Sequence, residues 1–515
     1  MRIINEKGLL LKLKNPDIVL DNINKSKLIE DEQVLVRWGL EESLKLRELN
    51  FINTPSPITR DYKWTGFHKP MKHQIDTASF LSINKRAFCF NEQGTGKTAS
   101  CIWAADYLMN EGLIDRVLVI CPLSIMQSAW QEDLFKFAMH RTCSVAYGTP
   151  RKRRAILEEG SEFVIINYDG VEILSDEIKD QFDLIIVDEA NAYKNYSTKR
   201  WKCLYKLLND STWVWMLTGT PAAHSPVDAF GLARMIVPDR VPRFMGAFKD
   251  KVMQRISQFK WIPRPEAVDI VHNVLQPSIR FTKKECLDLP EITYLTRRIP
   301  LTKQQDIYRN KIKKDNLVLA ANECISAVNA ATLLNKLLQL SCGAVYSDTG
   351  EIISFDGGNR LQELLAAVKE SSNKVLVFVP FKHAIEIISE ALTKEKITND
   401  IISGEVTPKK RTGIFSAFQD KPDPKVLIIQ PQAAAHGVTL TAADTIIWYG
   451  PPLSLETYLQ ANARAHRKGQ KNPLTIINLE GSYEESKVYS ALVKKQNIHE
   501  QIVELFKEKV DKVNN

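Results

Sequence analysis

The segment Asn91-Glu92-Gln93-Gly94-Thr95-Gly96-Lys97-Thr98 follows the apolar run RAFCF and precedes the helix-forming TASCIWAADYLM. Glycines let backbone amides curl around an anion with no Cβ in the way. A lysine just beyond them supplies a point charge for β- and γ-phosphates, and a threonine hydroxyl reaches Mg²⁺. The start of a helix adds its partial positive charge. Strand, glycine-rich loop and helix in that order form an ATP-binding P-loop, with Gly94, Thr95, Gly96, Lys97 and Thr98 on the nucleotide and Asn91 where the consensus has glycine. About ninety residues on, LIIVDEAN ends an apolar run in Asp188 and Glu189. A strand end aims adjacent acids at the crevice where open α/β folds bind ligands. Asp188 is placed to hold Mg²⁺ with Thr98, and Glu189 to orient or deprotonate an attacking water. An isolated glycine turn or acidic pair reads as solvated surface; a strand before each overturns that reading.

Positioning these groups requires buried parallel strands, and short Val/Ile/Leu runs between helical patterns supply them. One series is Arg86–Asn91, Arg116–Pro122, Phe163–Tyr168, Leu184–Glu189 and Val214–Thr220; a second is Lys374–Pro380, Val426–Gln430, Thr445–Gly450 and Leu474–Leu479. Two series predict an α/β chain of two tandem parallel-sheet lobes rather than one giant sheet. The expected division is a small N-terminal α/β module over 1–60, lobe 1 over 61–237, a mainly helical insertion over 238–358, lobe 2 over 359–482 and a helical tail over 483–515.

Further blocks occur in fixed order: KPMKHQ, CPLSIMQSAW, INYDG, LTGTP, KVLVFVPF, ISGEVTPKKRTGIFSAFQ, IIQPQAAAHGVTLTAADTIIWYG and QANARAHRKGQ. From about Tyr62 to about Gln470 the chain resembles the superfamily-two helicases, and within them the Swi/Snf-type DNA translocases, which implies that its two tandem parallel-sheet lobes are RecA-like. The narrowest clue is LQPSIRFTKKECLDLPEITYLTRRIPLTKQQ (Leu275–Gln305), a block that DEAD-box RNA helicases lack. The resemblance implies that Gln74 reads adenine, that Gly437 and Gln460 belong to the nucleotide site, and that Arg464 and Arg467 reach the nucleotide from lobe 2. It places Ser124, Lys194, Asn195, Lys382 and Thr439 on DNA. Asn191 stands where many relatives carry histidine; an amide can still donate a hydrogen bond there. Arg464 and Arg467, three apart, would share the face of a helix or its entry.

The chain of 515 residues is 44% hydrophobic and 25% charged, with a net charge of +8. That composition is globular, and no run of about 18 uncharged apolar residues predicts a membrane span. The eight cysteines include no CxxC pair, which reads as buried thiols in a reducing compartment rather than zinc. The expected function is ATP-dependent movement on double-stranded or branched DNA, with fork remodelling or branch migration and replication or recombination proteins as partners. The alternative is a DNA-stimulated ATPase switch that clamps DNA or recruits partners without processive movement. The compact size points to the cytoplasm or nucleoid of a bacterium or a phage-infected cell. Trp38 reads as a core residue, with stacking on an unpaired base as the other role.

Overall fold

The computed structural model describes residues 1–222, 225–256, 261–322, 327–346, 352–434 and 438–494. They form two compact units, Met1–Cys286 and the chain from Leu287 onward.

The first unit begins with β1 (Arg2–Ile4), β2 (Gly8–Lys12), β3 (Ser26–Glu30) and β4 (Gln33–Arg37), an antiparallel sheet in the order β1-β2-β4-β3. Leu9, Leu11, Val34 and Val36 alternate inward and pack with Trp38 and with Leu46 of α1 (Leu40–Glu48). Trp38 donates its Nε1–H to Pro55 O at 3.0 Å and lies 4.9 Å beneath the Arg60 guanidinium. It is a core residue whose ring face is already covered.

The large sheet of this unit comprises β5 (Arg86–Cys89), β6 (Val117–Cys121), β7 (Cys143–Ala146), β8 (Phe163–Asn167), β9 (Leu184–Val187) and β10 (Trp213–Leu217). After a small antiparallel hairpin, β11 (Met253–Arg255) and β12 (Trp261–Pro263), it gains β13 (Ser278–Ile279). All seven strands are parallel, in the order β13-β5-β10-β9-β6-β8-β7. Phe88, Ile120, Ile185 and Met216 pack into one core and Ala87, Val119, Ile186 and Trp215 into another. Burial on both faces is why these strands read as unbroken apolar runs.

The second unit carries β14 (Ile292–Arg298), a hairpin of β15 (Ala344–Tyr346) and β16 (Ile352–Ser354), then β17 (Lys374–Phe378), β18 (Asn399–Ile402), β19 (Val426–Ile429), β20 (Ala443–Trp448) and β21 (Leu474–Glu480). Its sheet is again all parallel, in the order β14-β21-β20-β17-β19-β18.

The stretch 238–358 is not one helical insertion. Residues up to Cys286 belong to the first unit and later ones to the second, and the stretch gives one edge strand to each parallel sheet. A strand as short as β13 has no readable period, and β14, mostly exposed, reads Ile-Thr-Tyr-Leu-Thr-Arg-Arg, neither an apolar run nor an alternation. The helices expected around Ala320–Leu340 are present as Lys303–Asn322 and Ala327–Ser341. Residues 483–494 are helical; the rest of the expected tail and Cys324 lie outside the described residues. Among the described residues no helix is long and apolar enough to cross a membrane.

Candidate active site

β5 leads through Phe90 into the loop Asn91–Gly96 and then into α2 (Lys97–Asn110). Gly94 and Gly96 have φ of +86° and +83°, the left-handed region that glycine occupies freely. A Cβ on Gly96 would lie 2.0 Å from Gln74 Nε2. Gln74 therefore sits against the loop, accepting from Met71 N at 2.9 Å and donating to Thr95 O at 3.4 Å. His73 Nε2 lies 2.8 Å from the same carbonyl. Lys97 Nζ donates to Asn91 O at 2.9 Å and Glu92 O at 3.4 Å; Thr98 follows it, half-buried. Asn91, 1% exposed, donates Nδ2–H to Thr77 Oγ1 at 2.8 Å and accepts from Phe281 N at 2.9 Å. The residue that departs from the consensus thus ties the loop to its neighbours.

Asp188 and Glu189 leave the carboxyl end of β9, separated from β5 by β10 alone. Asp188 Oδ2 accepts from Trp130 Nε1 at 2.9 Å and Oδ1 from Glu189 N at 2.9 Å. Burial pushes the Asp188 carboxyl up from its ordinary value, while the Lys97 charge and these two hydrogen bonds pull it down. Glu189 has φ +47°, a strained backbone for a residue with a Cβ. Tyr168 donates its hydroxyl to Asp188 O at 2.8 Å and Glu189 O at 3.3 Å, and Gln93 Nε2 reaches Glu189 Oε1 at 3.4 Å. Asn191 Nδ2 donates to Thr220 O at 2.9 Å and Thr220 Oγ1 at 2.8 Å. An amide here still links DEAN to the LTGTP turn.

Sequence reasoning missed Trp130, Gln93 and Arg280. Trp130 sits inside CPLSIMQSAW, and its place depends on a π-helical turn, Met126–Gln131, that spacing does not reveal. Gln93 stands at a position of the loop for which the P-loop pattern specifies no residue. Arg280, 4% exposed, donates Nη1–H to Phe90 O at 2.7 Å and Gly219 O at 3.3 Å, with Nη2 3.3 Å from Glu92 Oε1.

In the second unit α3 (Leu455–Asn462) carries Gln460, buried, whose Nε2 donates to Glu456 Oε1 at 3.2 Å. The helix stops at Asn462, so Arg464 and Arg467 lie in the turns after it rather than on a helical face. A buried tether imposes those turns: Asn462 Oδ1 accepts from Trp448 Nε1 at 2.9 Å, and Gln470 Nε2 donates to Ala443 O at 2.8 Å and Ala465 O at 3.2 Å. Arg464 is 6% exposed and its carbonyl accepts from Leu440 N at 2.9 Å; Arg467 Nη1 donates to Val438 O at 3.1 Å. Gly437 lies outside the described residues. Ser124, Asn195, Lys382 and Thr439 are exposed, whereas Lys194 is half-buried and 3.5 Å from Asp228 Oδ2. Lys382 Nζ lies 2.6 Å from Glu405 Oε1, and Asn195 Oδ1 accepts from Ser197 N at 3.0 Å.

The carboxyl ends of β5 and β9 therefore gather a glycine-rich loop, a lysine, a hydroxyl and two carboxylates. Among the described residues no group of three or more His, Cys, Asp or Glu could hold a metal by itself. The donors Thr98 and Asp188 fit an ion such as Mg²⁺, which takes most of its ligands from phosphates and water. Tandem parallel-sheet units, the first bearing this constellation, define an ATP hydrolase of the helicase class. The SNF2-related domain matches residues 73–342 and the helicase conserved C-terminal domain residues 358–469. The chain belongs to the SNF2-related family and contains its ATP-dependent helicase core.

Among its relatives, the chromodomain-helicase-DNA-binding protein 1-like of Mus musculus is 27% identical over 415 residues, 76% of this chain and 45% of that protein. Putative protein p41 of Acyrthosiphon pisum secondary endosymbiont phage 1 is 26% identical over 439 residues, 80% of this chain and 92% of that one. The chain spans less than half the length of the first curated relatives it matches. A solved structure of the Sulfolobus solfataricus SWI2/SNF2 ATPase core in complex with dsDNA aligns with a TM-score of 0.43 at 22% identity, covering 87% of this chain and 97% of that one.

Proposed function

We propose that the chain couples ATP hydrolysis to movement along duplex or branched DNA. The observation that carries this reading is the pair of hydrogen bonds from Asn191, two residues beyond Glu189 in the DEAN turn, to Thr220 of the LTGTP turn, which joins the segment leaving β9 to the segment after β10. A motor needs such a path, because a hydrolytic event must be felt away from the phosphates.

The amides of Gly94–Thr98 and the Lys97 ammonium hold the β- and γ-phosphates, and Gln74 reads the base. Thr98 and Asp188 hold Mg²⁺, which when bound neutralises charge on the phosphate oxygens. Glu189 orients the attacking water and accepts its proton, its carboxylate held near the loop by Gln93. Arg464 and Arg467 meet the charge that develops on the γ-phosphoryl oxygens; a preorganised cation is worth most there. Ser124, Asn195, Lys382 and Thr439 contact the DNA backbone, with Lys194 joining them once released from Asp228. Phosphate contacts suit a motor that does not stop at particular sequences. Fork remodelling or branch migration, with replication or recombination proteins as partners, is the use this activity serves.

The test compares ATPase turnover on duplex, single-stranded and forked DNA and on RNA, with Lys97→Ala as control. Strong stimulation by DNA containing duplex, little by RNA, and no turnover in the variant are expected. Equal stimulation by RNA would overturn the assignment. Stimulated turnover without displacement of a triplex-forming strand would instead identify a switch that clamps DNA or recruits partners.

A further inference from the structure

The segment that leaves the first unit is fastened directly onto the P-loop. Phe90 N donates to Ile279 O at 2.8 Å and Glu92 N to Phe281 O at 2.9 Å, extending β13 along the loop entry. The Glu92 carboxylate then divides its oxygens: Oε1 faces the Arg280 guanidinium at 3.3 Å and Oε2 accepts from Lys283 N at 2.9 Å. Thr282 and Glu285 cap the helical turn Lys283–Cys286 reciprocally. Thr282 N donates to Glu285 Oε2 at 2.7 Å, and Glu285 N to Thr282 Oγ1 at 3.4 Å. Arg280 also grips the carbonyls of Phe90 and Gly219. One buried cation thus spans the phosphate loop, the LTGTP turn and the start of the chain that continues into the second unit.

We propose that Arg280 and Glu92 form a strap that carries the state of the phosphate loop into the segment 282–290, making Arg280 a positioning residue for the ATP-driven step. This rests on the motor reading above. Arg280 touches no substrate; it acts by holding Glu92 and the Gly219 carbonyl in register. A planar guanidinium satisfies three acceptors at once, and neither lysine nor glutamine can reproduce that.

The test is hydrogen exchange of a peptide covering 282–290, with and without ADP and with no DNA present, in wild type, Arg280→Gln and Lys283→Pro. Proline suits the first position of a capped turn, so Lys283→Pro removes the backbone donor to Glu92 and leaves Arg280 intact should Arg280→Gln fail to fold. In wild type, ADP is expected to slow exchange in this peptide. The slowing should disappear in Arg280→Gln and shrink in Lys283→Pro, while the ADP dissociation constant stays within about threefold, a change of under about 0.7 kcal/mol. In a parallel assay, DNA-stimulated kcat should fall about tenfold in Arg280→Gln with little change in KM for ATP, the split expected of a lost transition-state contribution. An ADP-insensitive peptide in wild type, or unchanged ADP sensitivity in both variants, overturns the strap. Wild type that DNA fails to stimulate overturns the motor reading instead, and the exchange result still decides the strap.

Discussion

Replacing Trp130 by phenylalanine isolates one hydrogen bond at the centre of the site. The indole Nε1 donates to Asp188 Oδ2 at 2.9 Å, the other carboxylate oxygen is held by the next backbone amide, and Trp130 is 0% exposed. A hydrogen bond to a charged group contributes about 1.5–3 kcal/mol. Each 1.36 kcal/mol is tenfold in rate, so its loss predicts a fall of about 10- to 150-fold in kcat/KM for ATP. The fall should lie in kcat, because in the proposed mechanism Asp188 acts through Mg²⁺ on the reacting phosphate while ATP affinity rests on the loop amides and Lys97; KM should stay within about threefold. The smaller ring also leaves a cavity costing about 1–2 kcal/mol, which a thermal melt measures separately. Steady-state ATPase with saturating duplex DNA is the assay. A Trp130→Phe protein whose kcat lies within about twofold of wild type would show that the indole merely packs. A raised KM at unchanged kcat would move its role from chemistry to binding.

Gly96→Ala meets both a left-handed backbone and the Gln74 amide; the backbone alone costs about 1–2 kcal/mol, so binding of a fluorescent ADP analogue should weaken at least about fivefold. Glu485→Ala leaves Arg360 unpaired, where the two side chains are 0% and 3% exposed and 2.6 Å apart; urea unfolding should show the second unit destabilised by about 3–5 kcal/mol. Among the described residues His383 has no hydrogen-bond partner; it lies beside the Phe381 and Tyr346 rings and is pushed down to about 4 from 6.5 by burial. Below pH 6.5 the unfolded chain takes up a proton that the folded one refuses, so stability is lost on acidification from 6.5 towards 4. In His383→Phe the urea midpoint should change less between pH 7.5 and pH 5; an equal change in both proteins would dismiss the histidine as the cause.

The sequence exposes what burial and glycine dictate and conceals what a lone side chain does at long range. Nine strands were legible because residues such as Ile120, Ile186 and Ile447 face packed cores on both sides of a parallel sheet, leaving few polar positions to break the run. Lys97, Asp188 and Glu189 were legible because a strand end fixes where the next residue points. Strand β13 was illegible: two residues carry no period, and its identity comes from pairing with β5 across nearly two hundred residues of chain. Arg280 was illegible for the same reason, since its partners Phe90, Glu92 and Gly219 lie far from it in sequence. The helical face assigned to Arg464 and Arg467 failed because spacing alone cannot see Trp448 and Gln470, whose buried hydrogen bonds end the helix and impose the turns. These cases share a cause. The chemistry-bearing groups sit on local strand-end geometry, which sequence encodes compactly, whereas the groups that brace them act through contacts between distant segments. The proposed motor depends on that second kind of contact, which is why Trp130, Asn191 and Arg280 are the positions at which coupling is most directly tested.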